Sequence, residues 1–143
     1  FKKILGVKHI LSTFAVGFLN EKIPVGSLVI LKDFIHLTHQ RTQTFFDGNT
    51  GLVKHVKMND PYCKNLMKIT KDNTSKHSIN FGKDSDYICS EGPRFETTAE
   101  IKMMNLMGSD IVGMTNVPEL VLAKELGICY ASISFIVNMR TGL

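Results

Sequence analysis

One sharp turn of the chain concentrates side chains that could do chemistry, and it reads Glu-Gly-Pro-Arg-Phe-Glu-Thr over residues 91–97. The Gly-Pro pair bends the chain strongly, which brings two carboxylates, a guanidinium and a phenyl ring together. Phe95 could stack on a planar ligand, and Glu96 could accept a hydrogen bond from an N–H group of that ligand. The alternative is a surface turn with a local Arg–Glu ion pair, and composition alone favours neither interpretation.

Two further candidates lie at the ends of strand-like runs. Met114, Thr115 and Asn116 stand where such a run gives way to a helical pattern. A helix N-terminus has free backbone N–H groups, and the Thr115 hydroxyl beside them would complete an anion site. The alternative, which residue types alone favour, is that Thr115 or Asn116 only caps the helix. Asn138 offers a donor and an acceptor, or else only satisfies neighbouring backbone groups.

The elements that must position these residues alternate between strands and helices. Apolar runs predict the strands, and apolar residues at helical spacing, with caps and closing glycines, predict the helices. The predicted strands are His9–Val16, Leu28–Ile35, Leu52–Met58, Asp86–Ser90, Asp110–Met114 and Cys129–Val137. The predicted helices are Tyr62–Thr70, Ala99–Met107 with Thr97 or Thr98 as its cap, and the run from Asn116 that stops at Gly127. This order predicts an α/β fold with a mixed central sheet flanked by helices, in a single domain over residues 1–143. In open α/β sheets, ligands bind at the carboxyl ends of strands, where the candidates lie.

Composition excludes several classes of protein. Of the 143 residues, 43% are hydrophobic and 21% are charged, which is too apolar for a disordered chain. The longest stretch without a charge, Leu126 to Met139, is too short to span a bilayer as a helix, so no membrane partner is expected. The net charge is +4, but the lysines are scattered among acidic residues, so nucleic acid is not expected as a partner either.

The histidines and cysteines do not indicate a metal site. The five histidines lack metal-ligand spacing, and Cys63, Cys89 and Cys129 are widely separated. An odd number of cysteines at wide spacing does not indicate a disulfide framework. We therefore expect reduced cysteines in or near the core of a cytoplasmic protein.

The segments above also occur together, in the same order, in one known family. The matching motifs are Ala-Val-Gly at 15–17, Pro-Val-Gly at 24–26, Asp-Phe-Ile at 33–35, Thr-Phe-Phe-Asp at 44–47, His55, Asp-Pro at 60–61, residues 91–97 with Ala-Glu at 99–100, Gly-Met-Thr-Asn-Val-Pro-Glu at 113–119, and Leu-Ala-Lys-Glu-Leu-Gly-Ile-Cys-Tyr-Ala at 122–131. Over essentially its whole length the chain resembles the trimeric purine nucleoside phosphorylase and methylthioadenosine phosphorylase family. The resemblance implies a nucleoside phosphorylase-like fold, of which this chain would be an incomplete, middle portion.

The resemblance implies an enzyme that cleaves the N-glycosidic bond of purine nucleosides with inorganic phosphate, giving the free base and ribose 1-phosphate. Such a pentosyltransferase needs no cofactor and no metal, because phosphate is a co-substrate. Its partners would be a purine nucleoside, phosphate and further copies of the chain, in a trimer or a dimer of trimers. His55 would be the residue lent to the 5′ end of the nucleoside in a neighbouring subunit.

The resemblance also implies a role for each remaining site residue. Phe95 would be a stacking wall for the base, and Gly17 would line the base pocket. Met114 would pack under the ribose. Thr115 would bind phosphate from its helix N-terminus, and Ala15 would do so through its backbone N–H. Thr115 is thus expected, with Asn138, to take part in catalysis.

The choice of base follows from hydrogen-bond chemistry. A 6-oxopurine carries an N1–H, whereas a 6-aminopurine has a bare N1, so a carboxylate at N1 accepts from the first and repels the second. Family members that use 6-oxopurines carry glutamate and asparagine where this chain has Glu96 and Asn138. Inosine- or guanosine-type substrates are therefore expected, and methylthioadenosine or methylthioinosine is the alternative.

A second alternative is a catalytically impaired relic that binds purine. The family places serine or threonine where this chain has Phe14, and a phenyl ring cannot replace that hydrogen bond and is expected to crowd the site. The family's glycine-rich phosphate loop and its arginine-histidine segment lie upstream of Phe1, and its C-terminal lid helices lie beyond Leu143. The sequence is therefore interpreted as a fragment of a complete enzyme or as a degenerate copy.

Overall fold

The structure is a computed structural model that describes residues 2–19, 23–49, 51–77, 79 and 81–139. Strands and helices alternate along most of these ranges, as the sequence predicts. In chain order the elements are α1 (Lys2–Leu5), β1 (His9–Phe18), β2 (Leu28–His36), α2 (Lys64–Lys76), β3 (Phe81–Cys89), α3 (Thr98–Leu106), β4 (Ile111–Gly113), α4 (Asn116–Glu125) and β5 (Cys129–Met139).

The described strands form one closed barrel in the order β1–β4–β3–β2–β5. β1 and β5 are parallel along their whole length, β2–β3 and β3–β4 are also parallel, and β1–β4 and β2–β5 are antiparallel. The expected mixed sheet is therefore confirmed. Its closure was not expected, because the closing pairs are short: β1 meets β4 only at Gly17↔Val112 and Phe18↔Ile111. So brief a pairing leaves no pattern in the sequence.

The side chains of β3 alternate between two faces, and each face packs against a different helix. Tyr87 and Cys89 lie in one apolar cluster, which also contains Val117 and Leu120 of α4. Ile88 lies in a second cluster with Ile101 and Met104 of α3. Successive side chains of a strand point to opposite faces, so β3 anchors both helices, and each fully buried aliphatic side chain contributes about 1.5–3 kcal/mol. The turns that precede α3 and α4 are thereby held at one end of the sheet.

Three predicted elements were wrong in extent or type. Residues 52–58 do not form a strand, and the described part of this segment has one isolated bridge, Asp47↔Val53. Within this segment, Lys54 donates to the backbone carbonyl of Glu125, and the Glu125 carboxylate accepts from Thr44 Oγ1 at 2.5 Å and from Phe45 N at 2.8 Å in the chain just before it. The predicted helix from 62 to 70 begins at Lys64 and continues to Lys76. The strand predicted from 86 begins at Phe81.

The expectation of three reduced cysteines was also wrong. Cys63 and Cys129 form a disulfide, with Cα atoms 5.3 Å apart. The start of α2 packs against the start of β5, and Cys63 N donates to Tyr130 O at 2.7 Å, so residues far apart in sequence become neighbours. Cys89 is buried and free, as expected, and its thiol donates to Val117 O at 3.4 Å. The number of cysteines could not predict this arrangement, because two of the three form a disulfide and the third is a free thiol in the core.

A buried serine on β5 provides a test of the core. Ser134 is fully buried, and its hydroxyl has no hydrogen-bond partner in the described part of the chain. A buried hydroxyl without a partner costs roughly 1–3 kcal/mol. We expect Ser134→Ala to raise the free energy of unfolding by about 1 kcal/mol, measured by urea denaturation.

Ser132, two residues earlier on the same face, is the matched control. It is equally buried, but its hydroxyl accepts from Asn116 Nδ2 at 2.8 Å. Ser132→Ala should therefore lower the free energy of unfolding. If both alanine variants are destabilised to a similar extent, the hydroxyl of Ser134 has a partner after all.

Candidate functional site

A cavity of about 510 Å³ opens where the carboxyl ends of β1, β4 and β5 meet the turn between β3 and α3. Its volume lies within the range of small-molecule sites. Its lining consists of Ala15, Val16, Gly17, Phe95, Glu96, Val112, Gly113, Met114, Thr115, Val137 and Asn138. Seven of the eight predicted site residues are in that lining, from four separate stretches of the chain.

A β-bulge aims Asn138 into the cavity. The register between β1 and β5 pairs Ala15 with Phe135 and Val16 with Ile136, but then pairs Gly17 with Asn138. Without the extra residue Asn138 would face the opposite side of the sheet from Ala15, because side chains alternate along a strand. Asn138 lies beside Gly17, where a Cβ would be 3.4 Å from Asn138 Oδ1, at van der Waals contact.

Gly92 brings the turn of residues 91–97 against the β4–α4 loop. Gly92 has φ +65°, a left-handed conformation that favours glycine, and a Cβ there would lie 2.5 Å from Met114 Sδ. Gly113 meets a similar constraint, because its Cβ would lie 3.0 Å from a ring carbon of Tyr87. The turn can approach the β4–α4 loop because Gly92 carries no side chain, whereas Gly113 lets the end of β4 lie against Tyr87 of β3.

The turn separates its charged groups. Glu96 is buried, lines the cavity and accepts a hydrogen bond from Ser90 Oγ at 2.6 Å, whereas Phe95 remains 64% exposed. Arg94 instead binds both carboxylate oxygens of Glu100, at 2.8 and 2.7 Å, and these bonds lower the pKa of Glu100 to about 2. Both sequence interpretations thus hold in part, since the surface Arg–Glu pair exists and Glu96 still faces the cavity.

A capping box joins this turn to α3. Thr97 Oγ1 accepts from Glu100 N at 3.2 Å, and Thr97 N donates to the Glu100 carboxylate at 2.7 Å. The predicted cap of this helix is therefore confirmed, with Thr97 as the capping residue. The cap fixes the end of the turn next to Glu96.

Thr115 is held at the cavity by its backbone. Its N–H donates to the hydroxyl of Tyr87 at 3.2 Å, and its side chain is exposed. Tyr87 is fully buried, and burial raises the pKa of its hydroxyl, which stays neutral and able to accept. Tyr87 was missed in the sequence, where it is one of several aromatic core residues in strand-like runs.

Neither Thr115 nor Asn116 caps α4, so that expectation was wrong. Val117 is extended, with φ −113° and ψ 133°, so the regular helix begins after it, and Thr115 makes no side-chain capping bond. The Asn116 side chain turns inward, where it accepts from Tyr62 Oη at 2.6 Å and donates to Tyr130 Oη at 3.1 Å. This buried amide ties the Thr115 segment to the interior.

Arg41, which no sequence pattern singled out, joins the two loops of the site. Its guanidinium donates to Glu91 O at 2.9 Å on one side, and to Met114 O and to Val117 O at 3.1 Å on the other. Its Nε lies 3.7 Å from the Glu91 carboxylate. A planar guanidinium can serve several carbonyls at once. Arg41 lies in a polar loop without periodicity, so only the folded chain reveals its partners.

His55 and Phe14 lie outside the cavity lining. His55 is exposed on the loop between β2 and α2, and its role at a neighbouring subunit stays a prediction. The Phe14 ring packs edge-on against Tyr87, with centroids 5.6 Å apart. The expectation that Phe14 crowds the site was therefore wrong, because Phe14 is absent from the cavity lining and its ring contacts Tyr87 instead.

The described residues contain no group of three or more histidine, cysteine or acidic side chains that could hold a metal ion. Nor is any helix in the described part of the chain long and apolar enough to cross a membrane.

The cavity lining combines an exposed phenyl ring, a buried carboxylate, a carboxamide and a threonine. Such a set suits a planar heteroaromatic ligand that carries hydrogen-bond donors and acceptors.

Comparison with known proteins gives consistent matches. The family model described as "Phosphorylase superfamily" matches residues 2–143. A "Probable 6-oxopurine nucleoside phosphorylase" from Dictyoglomus turgidum is 49% identical over 99% of this chain and 53% of the relative. A "Probable S-methyl-5'-thioinosine phosphorylase" from Methanosarcina acetivorans is 46% identical over 97% of this chain and 52% of the relative. The chain spans about half the length of these curated relatives.

A solved structure matches closely in three dimensions. A double mutant of adenosine/methylthioadenosine phosphorylase from Schistosoma mansoni, in complex with adenine, has a TM-score of 0.93 and 32% sequence identity. The match covers 99% of this chain and 57% of that chain. The α/β architecture described above is thus that of a nucleoside phosphorylase structure.

Proposed function

Because the chain belongs to the phosphorylase superfamily, we propose that the full-length protein cleaves the N-glycosidic bond of purine nucleosides with inorganic phosphate. The products are the free base and ribose 1-phosphate. The observation that carries the proposal is the meeting of Phe95, Glu96, Thr115 and Asn138 in one cavity. The name of the relative from Dictyoglomus turgidum, a 6-oxopurine nucleoside phosphorylase, supports it.

The substrates are nucleosides of 6-oxopurines, such as inosine and guanosine. Glu96 accepts from the N1–H of the base, and Asn138 supplies a donor to the ring atoms that become electron-rich as the bond breaks. Phe95 stacks on the base, and Gly17 leaves space for it. Because the 6-aminopurine ring has a lone pair at N1, the buried Glu96 carboxylate disfavours it.

Catalysis in this proposal is electrostatic. Negative charge builds on the leaving purine while the ribose becomes cationic, and the hydrogen bonds around the base stabilise that charge. Phosphate attacks the opposite face of the ribose, held by the Thr115 hydroxyl and the Ala15 backbone N–H, with Met114 packed under the sugar. Because the phosphate is held in place next to the ribose, its attack becomes effectively unimolecular, which lowers the entropic cost of the reaction. The reaction uses no cofactor.

The functional unit in this proposal is a trimer or a dimer of trimers. His55 then reaches the 5′ end of the nucleoside in a neighbouring subunit, which is consistent with its exposed position.

S-Methyl-5′-thioinosine is the second candidate substrate, favoured by the name of the relative from Methanosarcina acetivorans. It carries the same 6-oxopurine, so the base contacts serve both substrates.

The test is inosine cleavage by the full-length protein with and without inorganic phosphate, followed by hypoxanthine release. Release that requires phosphate is the expected result. Hypoxanthine binding without turnover of inosine or methylthioinosine would instead identify the purine-binding relic. The position of Phe14 outside the cavity lining removes crowding as a reason for inactivity, whereas the hydroxyl that the family has at that position is still missing.

Thr115→Ala provides a test of the phosphate placement. We expect the KM for phosphate to rise about tenfold, because one hydrogen bond to a charged ligand is lost. Hypoxanthine affinity should change less than twofold, because the Thr115 backbone stays bonded to Tyr87. Steady-state kinetics with varied phosphate, together with calorimetry of base binding, measures both. An equal loss of phosphate and base binding would remove Thr115 from the phosphate site.

A further inference from the structure

We propose that Ser90 sets the preference for 6-oxopurines by orienting the carboxylate of Glu96. This inference rests on the proposed function, in which Glu96 recognises N1 of the base. Ser90 does not line the cavity; it acts through Glu96 and is therefore a positioning residue.

The position of Ser90 is fixed by the sheet. It follows the last residue of β3, and its N–H donates to Gly113 O, at the end of β4, at 2.9 Å. Its hydroxyl lies 2.6 Å from Glu96 Oε1 and donates to it. The donor is thus anchored to the barrel, whereas the acceptor lies in the turn that follows.

Glu96 depends on such an anchor. The terminal torsion of a glutamate side chain is broad, so its carboxylate does not adopt one orientation by itself. The hydrogen bond from Ser90 restrains the plane of the carboxylate of Glu96, a residue that is only 9% exposed.

A restrained carboxylate discriminates more strongly than a mobile one. When its orientation is fixed, the N1–H of a 6-oxopurine meets an oriented acceptor without further ordering. The N1 lone pair of a 6-aminopurine meets the same oxygen, which cannot turn away to relieve the repulsion. Removing the restraint should therefore weaken 6-oxopurine use and leave 6-aminopurine use unchanged or slightly improved.

The experiment compares Ser90→Ala and Ser90→Thr in the full-length protein, with kcat/KM measured for inosine and for adenosine. Ser90→Ala should lower the inosine-to-adenosine ratio about tenfold, as expected for the loss of one hydrogen bond to a charged group. Ser90→Thr keeps the hydroxyl and should stay within about twofold of the unchanged protein. Hypoxanthine and adenine affinities, measured by calorimetry, should change in the same sense.

Ser109→Ala is the matched control, because Ser109 is a buried serine outside the cavity lining. It should leave the ratio unchanged. An unchanged ratio in Ser90→Ala, an equal loss on both nucleosides, or a threonine variant that behaves like alanine would each overturn the inference. Failure of the proposed function is a different result, since the unchanged protein would then not cleave inosine at all.

Discussion

Asn138→Asp is expected to lower the inosine-to-adenosine ratio of kcat/KM about 100-fold in the full-length protein. Asparagine offers a donor and an acceptor to the base, whereas aspartate offers only acceptors. Aspartate therefore loses the bond to an electron-rich 6-oxopurine and gains one from the amino group of adenosine. Two such changes, each worth about tenfold or more, act on the ratio in the same direction.

This substitution changes the hydrogen-bonding groups of residue 138 without changing the shape of its side chain. Aspartate and asparagine have the same shape, so side chain 138 occupies the same space opposite Gly17. Initial rates with inosine and adenosine over a range of concentrations give the ratio. Asn138→Ala is the control, because it removes the amide without adding an acceptor, and should lower inosine use without raising adenosine use. If Asn138→Asp leaves the ratio unchanged, then residue 138 does not read the base.

The sequence predicted the site because its residues follow strands. Glu96 comes after β3, Thr115 after β4 and Asn138 at the end of β5, and such strand ends gather at one edge of a sheet. Local patterns were enough to locate each strand end within a few residues. The meeting of these groups in one cavity therefore follows from strand order and needs no knowledge of individual contacts.

The interactions that orient these groups could not be predicted in the same way. The bulge that turns Asn138 towards Gly17 depends on the pairing of β1 with β5, more than 100 residues apart. Arg41 binds carbonyls that lie 50 and 73 residues away. Periodicity and capping patterns depend only on residues close together in sequence, so they cannot predict contacts between residues that are far apart.

Asn116 shows how a local rule fails when a tertiary network competes. An asparagine before Val-Pro-Glu is a good helix cap by residue type. In the folded chain its amide is only 2% exposed and bonds to Tyr62 and Tyr130 instead. A buried amide must satisfy its donors and acceptors, and β5 and the segment just before α2 supply partners that a local pattern cannot include.

The disulfide gives the second large prediction, which concerns stability. Cys63 and Cys129 are 66 residues apart, so reducing their bond releases a long loop in the unfolded chain. A loop of that length corresponds to about 4 kcal/mol of stability, or about 10 °C in Tm for a chain of the relatives' size. We expect Cys63→Ser/Cys129→Ser in the full-length protein to show that loss in thermal and urea unfolding.

Reductant separates the covalent bond from the packing of the cysteines. Dithiothreitol should lower the Tm of the unchanged protein towards that of the double variant, and should leave the double variant where it is. A double variant as stable as the parent would contradict the loop-entropy estimate. The pair lies beside Tyr62 and Tyr130, two of the hydrogen-bond partners of Asn116. Because those hydrogen bonds do not depend on the disulfide, inosine cleavage below the unfolding transition should persist after reduction, while heat inactivation should begin at a lower temperature.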